Sequence, residues 1–175
     1  MTGDKLTEKV ILELLRQKHV HPGNGGSGRY VFMTHVRSDS GFSTMRYDRE
    51  TGHVWRLRTF DAVAMSLWQS EGHLIDIFEV KTSRSDWLRE LSDPTKTATA
   101  VETADRFWVV APVGAVKREE LDPDWGWIEV KGDGTEESPW KLRTLRRAKD
   151  VPHGGALHRG LVISMLRSIP GAVPT

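Results

Sequence analysis

RLRTFDAVAMSLWQSEGHLIDIFEVKTSRSDW, residues 56–87, decides how this chain folds. Two apolar runs of strand length, 56–68 and 73–81, flank the turn signal QSEG, which is the pattern of a β-hairpin. Ser83 with Asp86 three residues later forms a capping box, so a helix starts near Arg84. The anomaly is charge. Asp61 sits among Phe60, Ala62 and Val63, and Glu79 and Lys81 interrupt a run of Ile, Phe and Val. Strands of this composition belong inside, and charges do not unless they have a task or each other.

Side chains alternate along a strand, so Glu79 and Lys81 share a face with Ile75 and Ile77, while Asp76 points the other way with Leu74, Phe78 and Val80. The partner for Glu79 must then come from the neighbouring strand. A three-residue loop, 69–71, places Asp61 opposite Glu79. A five-residue loop places it opposite Lys81, and a loop of two or four turns it to the wrong face.

Working outward, Leu6, Val10, Ile11, Leu14 and Leu15 have helical spacing, so residues 5–18 read as an amphipathic helix. HPGNGGSGR (21–29) breaks the pattern as a Gly-rich loop, and it lacks the GK[ST] ending of a phosphate-binding P-loop. YVFMTHV (30–36) is a strand, and a short second strand is expected around FSTMRY. Beyond the hairpin, Asp93-Pro94 starts a further helix, and RFWVVAP (106–112) is a buried strand. WGWIEVKG (125–132) and WKLRTLRRA (140–148) form a second hairpin, and Leu157, Leu161 and Met165 mark a last helix. The chain reads as a single α/β domain over 1–175, with a core at about 5–131 and a C-terminal extension at about 132–175.

The 175 residues suffice for one sizeable core, and 38% hydrophobic with 28% charged residues describes an ordinary globular protein. No apolar run of membrane-spanning length occurs, and the polar start MTGDKLTEKV lacks a signal-peptide core, so a cytoplasmic location is expected. The absence of cysteine excludes disulfides and cysteine–zinc sites. With a net charge of +1, binding to nucleic acid would depend on local basic patches.

Two carboxylates and a lysine on one face suit a particular chemistry. Oxygen ligands from Asp61 and Glu79, with the Val80 carbonyl, fit Mg²⁺ or Mn²⁺. Such an ion acidifies a bound water and neutralises charge growing on a phosphate, and Lys81 would orient that water or stabilise the transition state. The competing reading is an ion cluster of Asp61, Glu79 and Lys81 that only satisfies itself, although such clusters return little stability for their desolvation.

Asp61, seventeen residues, then Glu79-Val80-Lys81 resembles the PD-(D/E)XK nuclease motif on its hairpin. The wider stretch FDAVAMSLW…EVKTSRSDWLRELSDPTK…DRFWVVAP…GWGWIEV, about residues 57–131, is similar to the MmcB-like DNA repair nucleases of bacteria and their phages. The resemblance implies a restriction-endonuclease-like core, a central mixed sheet flanked by helices, here with an added C-terminal hairpin and helix. It implies an Mg²⁺- or Mn²⁺-dependent endonuclease of repair or recombination acting on duplex or branched DNA. Asp61 and Glu79 match the metal-binding acids and Lys81 the catalytic lysine. Relatives often add a glutamate from the first helix, for which Glu8 is the first choice and Glu13 the second. The proline that often precedes the first acid is Phe60 here. Many enzymes of this fold pair to cut two strands, so a homodimer is also implied, although no segment marks its interface. A nucleic-acid-binding protein on the same fold without hydrolytic activity is the alternative.

DNA contacts are expected from Arg84 at a helix start, where the alternative is an ion pair with Asp86 or Glu90. Lys96 on the next helix and Arg37 near the cleft, beside His35, are further candidates. Arg143, Arg146 and Arg147, with Lys141 and Lys149, form the densest basic cluster, which either tracks a DNA backbone or protects a sheet edge. Trp125 and Trp127 share a face and are expected to pack the core.

Overall fold

A computed structural model of the chain describes residues 5–20, 29–39, 45–47, 52, 54–93, 95–151 and 159–168. The Gly-rich stretch 21–28 and Leu157 lie outside the described residues. The chain is an α/β protein built on a six-stranded mixed sheet. In chain order the elements are α1 (Glu8–Val20), β1 (Tyr30–Arg37), β2 (Met45–Tyr47), β3 (Val54–Arg56), β4 (Thr59–Ser66) and β5 (Ile75–Val80). There follow α2 (Arg84–Leu91), α3 (Thr95–Thr103), β6 (Arg106–Pro112), β7 (Gly126–Lys131), β8 (Lys141–Arg146) and α4 (Arg159–Arg167).

The sheet order is β1-β4-β5-β6-β7-β8, and β2 and β3 pair separately. The β1/β4, β4/β5 and β7/β8 pairs are antiparallel, while β5/β6 and β6/β7 are parallel. The expected 56–68 strand is therefore two elements, with Leu67 and Trp68 exposed beyond its end. A three-residue 3₁₀ turn, Gln69–Glu71, joins β4 to β5, so Ala62 pairs with Phe78 and Ala64 with Asp76. One step further along the same register puts Asp61 opposite Glu79.

Strand alternation gives the sheet two apolar faces. Ile11, Leu12 and Leu15 of α1 pack on Ala62, Ala64, Phe78, Val80 and Val110. The two alanines leave room for the helix to approach the sheet closely. On the other face Val63, Ile75, Ile77, Phe107 and Val109 are covered by Trp87 of α2, Ala100 of α3, and Leu161 and Met165 of α4. Trp125 and Trp127 pack against this second core, and the Trp125 ring meets Phe107 edge-on at 4.9 Å. Ser83 caps α2 as its sequence predicts, accepting from the Asp86 amide at 3.2 Å.

Candidate active site

The sheet forks where the charged residues lie. Pairing between β4 and β5 runs to Ala62↔Phe78, after which β4 stays with β1 as far as Thr59 and β5 stays with β6 as far as Val80. At the fork the Val80 amide, which would otherwise lack a partner, donates to Asp61 Oδ2 at 2.7 Å. The Asp61 side chain thus takes the place of a backbone acceptor, and it is held between the strands beside Glu79.

Lys81 lies one residue past β5, buried, with its own amide donating to the Val110 carbonyl at 2.8 Å. Its Nζ reaches Glu79 Oε1 at 2.5 Å and Glu90 Oε2 at 2.9 Å. Glu90 comes from α2, one turn after the buried Trp87, and sequence reasoning gave it no part in the site. Its signal was the helical spacing from Trp87, which sets both residues on the inward face.

Charge at the fork does not balance. Burial pushes the Asp61 carboxyl up to about 6; the Val80 amide and Lys81 pull it back, and the charges of Glu8 and Glu90 oppose them. Burial and the facing Asp61 push Glu79 up to about 7 in spite of the Lys81 ion pair. Burial draws the Lys81 ammonium down, but Glu79 and Glu90 more than offset this and keep it charged well above its ordinary range. The charges of Glu8 and Glu90 thus act on Asp61, and those of Asp61 and Glu90 on Glu79, beside one ammonium. The donor set is all oxygen, which suits a hard divalent cation. Among the described residues, no group of three or more acidic or histidine side chains is drawn together as a ready-made metal cage, so Asp61, Glu79 and the Val80 carbonyl would leave most of a cation's coordination to water or phosphate.

Of the two helix acids, Glu8 opens α1 and its charge is felt at Asp61. Glu13 is turned to Arg16 and Gln17, and these hydrogen bonds hold its carboxyl down at about 2. His35 stands on β1, the strand beside β4, and faces Glu8. In the β1/β4 ladder Thr34 pairs with Ala62 and Val36 with Phe60, but the His35–Asp61 step is skipped. His35 takes a left-handed φ of 53° there, and its Nδ1 is 3.9 Å from Glu8 Oε1. The twist brings Met33 and Val36, three residues apart, into one core. Non-glycine residues held in this region are strained by about 1 kcal/mol or more. His35→Gly is expected to leave stability unchanged or raise it by up to about 1 kcal/mol, whereas Thr34→Gly lowers it by about 1 kcal/mol. Urea denaturation of both variants measures the difference.

The expected DNA-contacting residues are spread apart. The Arg84 guanidinium forms a fork-to-fork ion pair with Glu120 and donates to the Ala115 carbonyl, so its partner is neither Asp86 nor Glu90. Glu120 also accepts from Trp87 Nε1 at 2.8 Å, which ties α2 to the loop after β6. Arg143 bonds the buried Glu129 at 2.7 Å, and Arg146 donates to the Trp125 and Asp122 carbonyls. β8 is an edge strand, and its cations line that edge as sequence reasoning allowed. Arg147 opens instead onto a cavity on the α1 side of the sheet. Arg37 ends β1, half-buried, and Lys96 lies in the first turn of α3, its side chain outside the described part of the structure. No helix among the described residues is long and apolar enough to cross a membrane.

No family profile matches the chain, and no curated protein matches it. Among solved structures it is similar to SPO1766, a protein of unknown function from Silicibacter pomeroyi, with a TM-score of 0.55 and 15% identity over 95% of this chain and 85% of that one. At that identity the likeness shows a shared fold, a mixed central sheet flanked by helices, and nothing of activity.

Proposed function

We propose that the protein is an Mg²⁺- or Mn²⁺-dependent deoxyribonuclease on a restriction-endonuclease-like fold, acting on duplex or branched DNA in repair or recombination. The observation that carries this reading is the meeting of Asp61 and Glu79 at the strand fork, both raised by burial and short of positive charge, with a buried lysine alongside. Asp61, Glu79 and the Val80 carbonyl would hold the cation. When bound, such an ion supplies Lewis acidity toward a phosphate oxygen and a water acidified toward neutrality. Lys81, kept charged by its two carboxylates, is a hydrogen-bond donor for the scissile phosphate rather than a base. Glu8, at the start of α1, adds a further acid at the open side of the fork and completes the set.

The double ion pair of Lys81 favours one competing reading, a closed cluster in a protein that binds nucleic acid without cutting it. Plasmid nicking with and without Mn²⁺, followed by labelled flaps, forks, four-way junctions and mismatched duplexes, separates the two. Metal-dependent product that disappears in Glu79→Ala supports the nuclease. Binding to every substrate with no cleavage supports the competing reading.

A further inference from the structure

A cavity of about 500 Å³ lies on the α1 side of the sheet, away from the face that carries Glu79 and Lys81. Its wall is drawn from elements distant in sequence. Lys18 comes from the last turn of α1, Arg106 and Trp108 from β6, Thr144 from β8, and Arg147 and Asp150 from the segment that follows β8.

The wall is fixed from beneath by one buried carboxylate. Asp76, 2% exposed, accepts from Arg106 Nε at 2.7 Å and Nη2 at 2.5 Å, and from Trp108 Nε1 at 2.6 Å. The register makes this possible, because Asp76 and Arg106 are direct neighbours in the parallel β5/β6 pair. Trp108 lies flat over Gly126 of β7, where a Cβ would come within 2.1 Å of the ring, and it stacks on Phe78 at 6.2 Å. The guanidinium and indole are therefore set in place without a ligand.

Cations exceed the anions available to them. Asp76 engages one edge of Arg106, and Asp150 stands 3.8 Å from Arg106 Nη1, too far for a hydrogen bond. Among the described residues Lys18 Nζ has a hydroxyl partner, Thr144 Oγ1 at 3.1 Å, and the partial desolvation of its stem lowers its ammonium pKa below the ordinary lysine value. Neither Lys18 nor Arg147 has a carboxylate within ion-pair distance among the described residues. Three positive side chains with an aromatic wall and a hydroxyl thus surround a space of small-ligand size, a combination that suits a phosphate attached to a flat ring.

We infer that this cavity binds a phosphate-bearing ligand, with Lys18, Arg106 and Arg147 on the phosphate and Trp108 against the attached base or sugar. The source is a free nucleotide or a phosphodiester unit of a nucleic-acid strand. This holds whether or not the acidic fork cleaves DNA.

Amide NMR titration of the whole protein tests it with inorganic phosphate, a mononucleotide and a short single-stranded oligonucleotide at low salt. Saturable shifts are expected at Lys18, Arg106, Trp108 and Arg147, with the mononucleotide or the oligonucleotide binding more tightly than phosphate. Preference for the mononucleotide identifies a nucleotide site, and preference for the oligonucleotide a strand-binding site. Lys18→Gln combined with Arg147→Gln is expected to weaken binding at least about tenfold with an unchanged melting temperature, since both side chains are surface-accessible, while Lys117→Gln, on an exposed loop outside the cavity, changes it little. No saturable shifts with any of the three probes, or equal affinity in the double variant, would overturn the inference.

Discussion

On the proposed nuclease reading, Glu79→Gln is expected to lower metal-dependent DNA cleavage at least about a thousandfold and, in the same protein, to raise stability above neutral pH. The first effect follows from the loss of the anion proposed to hold the cation with Asp61. The second follows from where the Glu79 proton resides. A carboxyl whose folded pKa is raised keeps a proton that the unfolded chain has already released. Between the ordinary carboxylate range and about pH 7, the native state therefore carries more protons, and stability falls as pH rises through that window. At pH 8 the ionised Glu79 faces Asp61 in a desolvated fork, and Lys81 offsets only part of the cost. A neutral glutamine of the same shape removes the repulsion and leaves Lys81 paired with Glu90. The gain should be about 1–2 kcal/mol at pH 8 and vanish near pH 5, as read from urea midpoints at the two pH values. A Glu79→Gln variant that cuts DNA at the wild-type rate would remove Glu79 from the mechanism. One that loses stability at pH 8 would mean that the Lys81 ion pair outweighs the repulsion.

Asp76→Ala is expected to cost the most stability of these single changes, about 3–5 kcal/mol. Asp76 bonds Arg106 twice and Trp108 once, and all three groups are largely withdrawn from water. Removal leaves a guanidinium and an indole N–H without their acceptor in the middle of the sheet. Asp76→Asn keeps one acceptor oxygen and should lose about half as much. Chemical denaturation with the slope held constant measures both. A loss below about 1 kcal/mol for the alanine variant would show that Arg106 and Trp108 find water as an equally good partner.

The features legible in sequence are those encoded within a few residues. QSEG bounded by apolar runs marked the hairpin, and the three-residue turn that sets Asp61 opposite Glu79 is among the registers that alternation allows. Ser83 and Asp86 marked the start of α2 in the same way. The features that were not legible depend on pairing between distant segments. Glu120 lies 36 residues after Arg84 in a loop with no pattern of its own, so its claim on that guanidinium could not be anticipated. Asp76 carried the same signal as Asp61, a charge inside an apolar run, but its partner depends on a parallel register that no local turn fixes. Glu90 was within reach of helical spacing from Trp87, yet its nearness to Arg84 on the same helix marked it only as an alternative ion-pair partner for that residue. The left-handed turn at His35 has no sequence signature, because a histidine in an alternating strand reads as ordinary strand.

Direct Mn²⁺ binding at the strand fork is the most pointed measurement. Calorimetric titration of the wild-type protein near pH 7, in two buffers of different ionisation enthalpy, should show a saturable site whose occupation releases protons, because the cation favours the ionised forms of Asp61 and Glu79. Asp61→Asn combined with Glu79→Gln should abolish both the binding and the proton release. Undiminished binding in the double variant, or no saturable binding by the wild-type protein, would contradict a cation site built from these two side chains.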